Sequence, residues 1–257
     1  MLNRRVLMRR PAPGLGQAVV SLIDREPVDV ARAIEQWEAL RSALGAAGWE
    51  VVVVEEHEDD PPCPDGVFVG DAVMLLGDRV MLPRSAVESR RPERPAIRRA
   101  LASRQVPITH MRRPGTADGG DVVQVGDSNR VFVGVGTRTN RAGLAQIVHT
   151  LGPESEVVPV MLHKTVQLNA GLTALPCGTV LGYPPLVDDP SVFDTFVPVP
   201  EPGGAHAFPL GGSRVLVPAS APRSLATITD LGYEPVVVDI SEFEKREGTM
   251  TCLLAPF

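Results

Sequence analysis

Cys252 ends the run Lys245-Arg-Glu-Gly-Thr-Met-Thr-Cys252, where a glycine turn leads into a short Thr/Leu stretch, Thr249–Leu254, that reads as a strand. A thiolate at such a strand start is a nucleophile, whereas a thiol packed in apolar surroundings is only a small hydrophobe. Asp65 and Asp71 bracket Gly-Val-Phe-Val-Gly. With Gly66–Val69 read as a strand, their even spacing puts both carboxylates on one side. Thr116-Ala-Asp118-Gly-Gly-Asp121 sets two glycines between two carboxylates, so the backbone can turn sharply and carry side chains to a strand end. Arg90, in Glu88-Ser-Arg90-Arg91, and Arg138, in Thr137-Arg138-Thr-Asn140, each stand just before a helical pattern. Taken singly, the acidic runs are ordinary turns and the arginines ordinary surface charges. Taken together, they suit an amino acid with a cationic side chain. Arginines hold its α-carboxylate bidentately, carboxylates hold its planar cation, and a thiolate attacks the carbon between them. Cys63 and Cys177 lie in proline-flanked turns without a neighbouring histidine, and their spacing suits no metal.

Positioning these groups falls to short, β-branched strands: Arg4–Met8, Glu50–Val54, Gly66–Val69, Ala72–Leu76, Arg79–Leu82, Val106–His110, Asp121–Val125, Arg130–Val133, Glu156–Val160, Thr179–Leu181, Arg214–Val217 and Glu234–Asp239. Helical periodicity is clearest over Val28–Ala47, where Val30, Ile34, Trp37, Leu40 and Leu44 share a face. Pro95–Ser103, Thr139–Leu151 and Pro222–Leu231 are shorter helices. The order hairpin, helix, strand recurs from Val67, from Asp121 and from Ala207, with a weaker unit from Gln167. Pairing the first strand with the last completes a ring of five units with no open sheet edge. A plain open α/β sheet fits the same pattern. Glu56–Asp65 and Val199–Gly204 read as surface loops, so residues 1–257 are expected to form a single domain. Arg9–Gln17, with two glycines, reads either as a static loop or as a lid.

Composition narrows the partners. With 44% apolar and 22% charged residues, the 257-residue chain is globular, and its net charge of −6 argues against nucleic acid and anionic membranes. Apolar runs are strand-sized, and no signal peptide follows the basic start. Three cysteines fit a reducing cytoplasm better than a disulfide framework. The expected partner is therefore a small molecule, and a homodimer is among the assemblies left open.

At this point the chain resembles the dimethylarginine dimethylaminohydrolases, within the guanidino-modifying superfamily that includes arginine deiminases and amidinotransferases. The resemblance rests on DGVFVGD (65–71), ESRR (88–91), TADGGD (116–121), RTN (138–140), Leu231-Gly-Tyr233 and EKREGTMTC (244–252), in that order. It implies a five-bladed α/β propeller of ββαβ units with pseudo-fivefold symmetry. It also implies hydrolysis of an N-methylated arginine to citrulline and an amine, through an S-alkylthiouronium on Cys252. Asp118 and Asp71 would bind the guanidinium, Asp65 would help hold the substrate, and Arg90 and Arg138 would take the α-carboxylate. No metal or organic cofactor is implied, because the amidine carbon is already electrophilic.

Two departures stand out. The family has Glu-Asp where this chain has Gly70-Asp71. The family's catalytic histidine, just before the counterpart of Gly171–Pro176, falls on Gln167 when counted without gaps. His163, in Leu162-His163-Lys164, matches the motif's letters only with a deletion and an insertion, and four strand residues span about 13 Å. Length therefore favours Gln167, which cannot shuttle a proton. His57, His110, His149 and His206 fall in loops or helix ends, with His206 following a Gly-Gly loop that can bring it near the site. Three readings remain at this level: a dimethylargininase-like hydrolase, a same-fold enzyme with another guanidino or amidino substrate, and a non-catalytic arginine-binding relative.

Overall fold

A computed structural model describes residues 4–126 and 128–257. The chain starts on β1 (Arg5–Met8), crosses through α1 (Val30–Ala46), and returns in β2 (Glu50–Val53), parallel to β1. Asp29 caps α1 by accepting from Arg32 N. The buried face of α1 is Ala33, Gln36, Trp37, Leu40 and Leu44, so Val30 and Ile34 of the expected stripe sit at its margin.

Three units then repeat one design: an antiparallel hairpin, a helix, and a third strand parallel to the hairpin's second. The first is β3 (Met74–Leu76), β4 (Arg79–Leu82), α2 (Arg94–Ala102) and β5 (Ile108–His110). The second is β6 (Val122–Gln124), β7 (Arg130–Val135), α3 (Arg141–Leu151) and β8 (Glu156–Met161). Between it and the last comes a reduced unit, β9 (Leu172–Ala174), β10 (Val180–Gly182) and β11 (Phe196–Pro198). Two short 3-10 turns, Pro184–Leu186 and Pro190–Val192, replace its helix, because Pro184, Pro185 and Pro190 remove helix donors. The full design returns in β12 (Phe208–Gly211), β13 (Arg214–Pro218), α4 (Ser224–Asp230) and β14 (Glu234–Val238). After α5 (Ser241–Glu244), β15 (Ala255–Pro256) pairs antiparallel with β1, Leu7 opposite Ala255, and closes the fifth unit.

The five-unit α/β arrangement is held by alternation along the middle strands. Successive residues of a strand point to opposite faces, so each middle strand feeds two cores. Val6 packs with Leu216 of the fourth hairpin unit, whereas Leu7 packs with Val80 and Leu82. Met81 joins Val131 and Val133, Phe132 joins Val180, and Leu181 joins Val215 and Val217. Five apolar cores thus tie neighbouring units in sequence and lead back to the first.

Two expected strands are turns. Gly66–Val69 folds on itself through Gly66 N to Cys63 O and Phe68 N to Asp65 O, and splits its side chains, with Val67 and Phe68 in one core and Val69 in another. Thr249–Leu254 is a turn because Thr249 satisfies the Cys252 amide locally, through its carbonyl at 3.1 Å and its hydroxyl at 3.2 Å. The terminal strand lies just beyond, at Ala255–Pro256. No helix among the described residues is long and apolar enough to cross a membrane.

Leu7 sits fully buried on β1, in the sheet that closes the ring. Leu7→Ala is expected to cost about 2–5 kcal/mol, as for other buried leucines, read as a lower midpoint in denaturant unfolding.

Candidate active site

Each unit opens with a turn just ahead of its first outer strand; four of the five turns line one cavity, and the Gly119–Asp121 turn packs behind them. Val69–Ala72 carries Asp71, and Gly119–Asp121 follows Asp118. Leu168–Ala170 follows Gln167, Pro202–Ala205 precedes His206, and the turn after Thr249 carries Cys252. Asp65, Asp71, Arg90, Arg138, Gln167, His206 and Cys252 all line this cavity, whose volume is about 410 Å³. Thiol, carboxylates and guanidinium groups, scattered over 188 positions from Asp65 to Cys252, are thereby gathered at one place.

Cys252 is 1% exposed. The Gln167 amide donates to its Sγ at 3.0 Å, and the Thr249 hydroxyl donates at 3.1 Å. Burial pushes the thiol well above its ordinary pKa, and the Asp71 carboxylate pushes it further. Gly70 explains why the turn can come so close to the nucleophile. Its N–H donates to Cys252 O at 2.8 Å, and a Cβ there would meet the carbonyls of Thr251, Leu254 and Cys252, the last two at 2.8 and 3.0 Å. The backbone leaves no room for the family's glutamate side chain at this position.

Asp71 is held by Arg90, Nη1 to Oδ2 at 2.7 Å. Arg90 also donates to both oxygens of Glu93, at 2.9 and 3.2 Å, and to Phe68 O at 3.1 Å. Burial opposes the Arg90 charge, but Glu93 and Asp71 outweigh it and raise its pKa well above the ordinary value. Asp118 lies behind Asp71, outside the cavity lining, with Oδ1 accepting from Gly120 N at 3.0 Å. Burial, then the charge of Asp71, raises its pKa well above the carboxylate range. Asp121 is pushed up to about 7, chiefly by burial, although the Thr139 hydroxyl and Leu168 N–H oppose the shift.

At the mouth, Asp65 accepts from Val19 N at 2.8 Å, and Arg138 reaches the Ser21 hydroxyl at 3.5 Å. Val19, Leu22 and Ile23 line the cavity; nothing of Arg9–Gln17 does, and Arg9 is instead buried against Glu56. Glu247 gathers the N–H groups of Ser21, Leu22 and Ile23, so the covering loop is fixed by a residue five positions before the nucleophile.

Of the two residues weighed for the histidine position, Gln167 stands beside the thiol. His163 is 74% exposed, lies outside the cavity lining, and faces Asp188 at 3.5 Å. The difference has a simple cause: β8 runs through Met161, so His163 lies at a strand end, before the Leu168–Ala170 turn reaches the axis. Sequence reading gave no roles to Thr249, Glu93 and Glu247. Thr249 carried a signal, since a threonine three residues before a cysteine favours a local turn. Glu93 and Glu247 carried none beyond their charge.

The arginine deiminase family model matches residues 25–201. A dimethylarginine dimethylaminohydrolase from Streptomyces coelicolor is 46% identical over 98% of this chain and 96% of its own length. One from Pseudomonas aeruginosa is 31% identical over 99% of both. Among solved structures, a mutant of the Pseudomonas aeruginosa enzyme complexed with citrulline aligns over the whole of both chains with a TM-score of 0.89 at 28% identity. A histidine-to-glycine dimethylarginine dimethylaminohydrolase, solved as an adduct with S-methyl-L-thiocitrulline, aligns equally well at 29% identity.

The electrostatics of Cys252 lead to a labelling prediction. A thiol with a raised pKa has little thiolate until the pH passes the ordinary cysteine range, so neutral iodoacetamide is expected to react slowly with Cys252 at pH 7–8. Cationic 2-chloroacetamidine meets the Asp71 carboxylate and is expected to label Cys252 at least tenfold faster, with free arginine protecting. Equal rates for the two reagents, read by peptide mass spectrometry, would show that the carboxylate does not govern the thiol.

Proposed function

The chain belongs to the arginine deiminase/dimethylarginine dimethylaminohydrolase family, whose members are hydrolases acting on guanidino C–N bonds, and on that premise we propose that it hydrolyses N-methylated arginine to citrulline through Cys252. The carrying observation is that the Cys252 thiol and the Asp71 carboxylate line one cavity close enough for the Gln167 amide to reach both, at 3.0 and 3.5 Å. Asp71 would hold the guanidinium and Asp65 would help orient the substrate. Asp118, recessed behind Asp71, would act through it. Arg138, whose buried Nη1 has no partner among the described residues, is the arginine best free to take the α-carboxylate. Arg90 already spends most of its donors on Asp71, Glu93 and Phe68, so it would contribute by sharing Asp71 or by giving up one of these bonds.

The cation completes the nucleophile. Bound between Asp71 and the thiol, it offsets the carboxylate that otherwise opposes ionisation. Sulfur then attacks the amidine carbon, the C–N bond to the methylated nitrogen breaks, and the proton lost from the thiol ends on the departing amine. Water attacks the resulting S-alkylthiouronium, the C–S bond breaks, and citrulline leaves as the thiol regains a proton. Gln167 donates to sulfur but exchanges no proton, so both steps run without a histidine relay. The second step is the slower one in this reading. The adduct captured in a relative whose histidine is changed to glycine supports it.

Residues 1–257 would act as one domain in the cytoplasm, a compartment suited to three unpaired cysteines. Gly70 and Gln167 favour one alternative, the same chemistry on a different guanidino or amidino substrate. Citrulline release from asymmetric dimethylarginine, monomethylarginine and arginine tests both. Release from a methylated arginine is expected, and none from Cys252→Ser. Gln167→His is expected to raise kcat at least tenfold, given the usual worth of a general acid–base. Equal turnover by Cys252→Ser would overturn the proposal, and release from none of the three substrates would favour the alternative.

A further inference from the structure

One buried acceptor atom among the described residues that line the cavity has no donor. Among the described residues, three cavity-lining side chains bury a polar atom without a partner: Arg138 Nη1, Arg246 Nε and His206 Nδ1. The first two are donors and suit an anionic group. His206 is the acceptor. Its Nε2 lies 2.9 Å from Ala170 O, and a carbonyl only accepts, so Nε2 carries the proton and Nδ1 presents a lone pair. The ring is 7% exposed, and burial lowers its pKa to about 4, so it stays neutral at physiological pH.

Position supports the same use. His206 directly follows the Pro202–Ala205 turn, so the fourth hairpin unit offers it where other units offer Asp71, Gln167 and Cys252. Its tether, Ala170, closes the turn that starts from Gln167, through Ala170 N to Gln167 O at 3.2 Å. The demand for acceptors is also clear. A guanidinium brings several N–H donors. Around the thiol, Asp71 Oδ2 is already occupied by Arg90, Gly70 has no side chain, and the Gln167 amide spends its N–H groups on sulfur at 3.0 Å and on Asp71 Oδ1 at 3.5 Å. Leaving a buried acceptor unmatched is costly, and a bound N–H relieves it.

We propose that His206 is a substrate-binding residue, its Nδ1 accepting a hydrogen bond from a guanidino N–H of the bound amino acid. The assignment rests on the functional reading above, because it takes an arginine-type ligand to occupy this cavity. It makes His206 a determinant of specificity: ligands that keep N–H groups on that side bind, and those with the nitrogens fully substituted there do not.

Two amide substitutions separate this role from a structural one. His206→Asn would place an oxygen where Nδ1 stands and lose the reach to Ala170, whereas His206→Gln would reach Ala170 and lose the lone pair. The test is therefore arginine binding by calorimetry in a Cys252→Ser background, which removes turnover from the reading. His206→Leu is expected to weaken arginine binding roughly tenfold to a hundredfold, the usual worth of a hydrogen bond to a charged group. His206→Asn is expected to recover most of that loss and His206→Gln little of it. Recovery by Gln but not Asn would overturn the proposal and leave His206 as a tether for the Gln167 turn. Unchanged affinity in all three variants would overturn it too. In the unsubstituted protein, labelled with 15N-histidine, the Nδ1 resonance of His206 is expected to move upfield on adding arginine, and an unmoved resonance would contradict the assignment even if a variant fails to fold. Failure of the functional reading looks different: no arginine binding by the parent protein, or binding with the expected variant pattern but no turnover.

Discussion

A crowd of buried carboxylates around one thiol sets the terms for this molecule. Asp65, Asp71, Glu93, Asp118 and Asp121 are all less than one-tenth exposed, and Arg90 is the buried guanidinium bonded to two of them. Buried charge is tolerated only when paired, hydrogen-bonded or neutralised. The protein uses all three devices: Arg90 pairs Asp71 and Glu93, backbone N–H groups and Thr139 bind Asp118 and Asp121, and burial raises the pKa of those two. Cys252 is neutralised in the same way, by remaining a thiol. The buried carboxylates outnumber the buried guanidinium that pairs with them, and a ligand guanidinium is the kind of group that relieves the excess. In the proposed mechanism this excess gives selectivity and activation together, because the cation that fits is the one that lowers the cost of the thiolate.

The ring makes this crowding possible. Each unit is too small to have a core of its own, and each middle strand contributes to two. The ends facing the axis need not pack against one another, so they can bring polar turns together. Close backbone approach is the condition. Gly70 shows it most directly, since its amide binds the Cys252 carbonyl where any side chain would collide with the nucleophile's turn. The missing acidic group at position 70 and the tight seat of Cys252 have one geometric origin.

Much of this was legible in the sequence, for identifiable reasons. β7 and β13 are β-branched runs with polar flanks, and α1 carries a clear stripe, so local preference and final structure agree. The closure of the ring followed from two leftover end strands and a dislike of open edges. The third unit was poorly legible because its strands have three residues each and prolines replace its helix. Gly66–Val69 and Thr249–Leu254 misled because their apolar residues are shared between cores or turned by a local hydroxyl, neither of which periodicity reveals. Asp65, Asp71, Arg90, Arg138, Gln167 and Cys252 do meet at one cavity, as their types suggested. What spacing could not give was order of depth: that Asp118 stands behind Asp71, that Arg90 is already committed, and that His206 faces inward with a free lone pair.

The chemistry turns on whether the cation-activated thiol forms a covalent intermediate that Gln167 cannot quickly release. Intact-protein mass spectrometry on samples quenched at intervals after mixing with monomethylarginine asks this directly. A mass gain equal to the substrate less methylamine, located on Cys252 and outlasting the first release of methylamine, is the predicted result. Steady citrulline formation with the protein mass unchanged at every time point would contradict it.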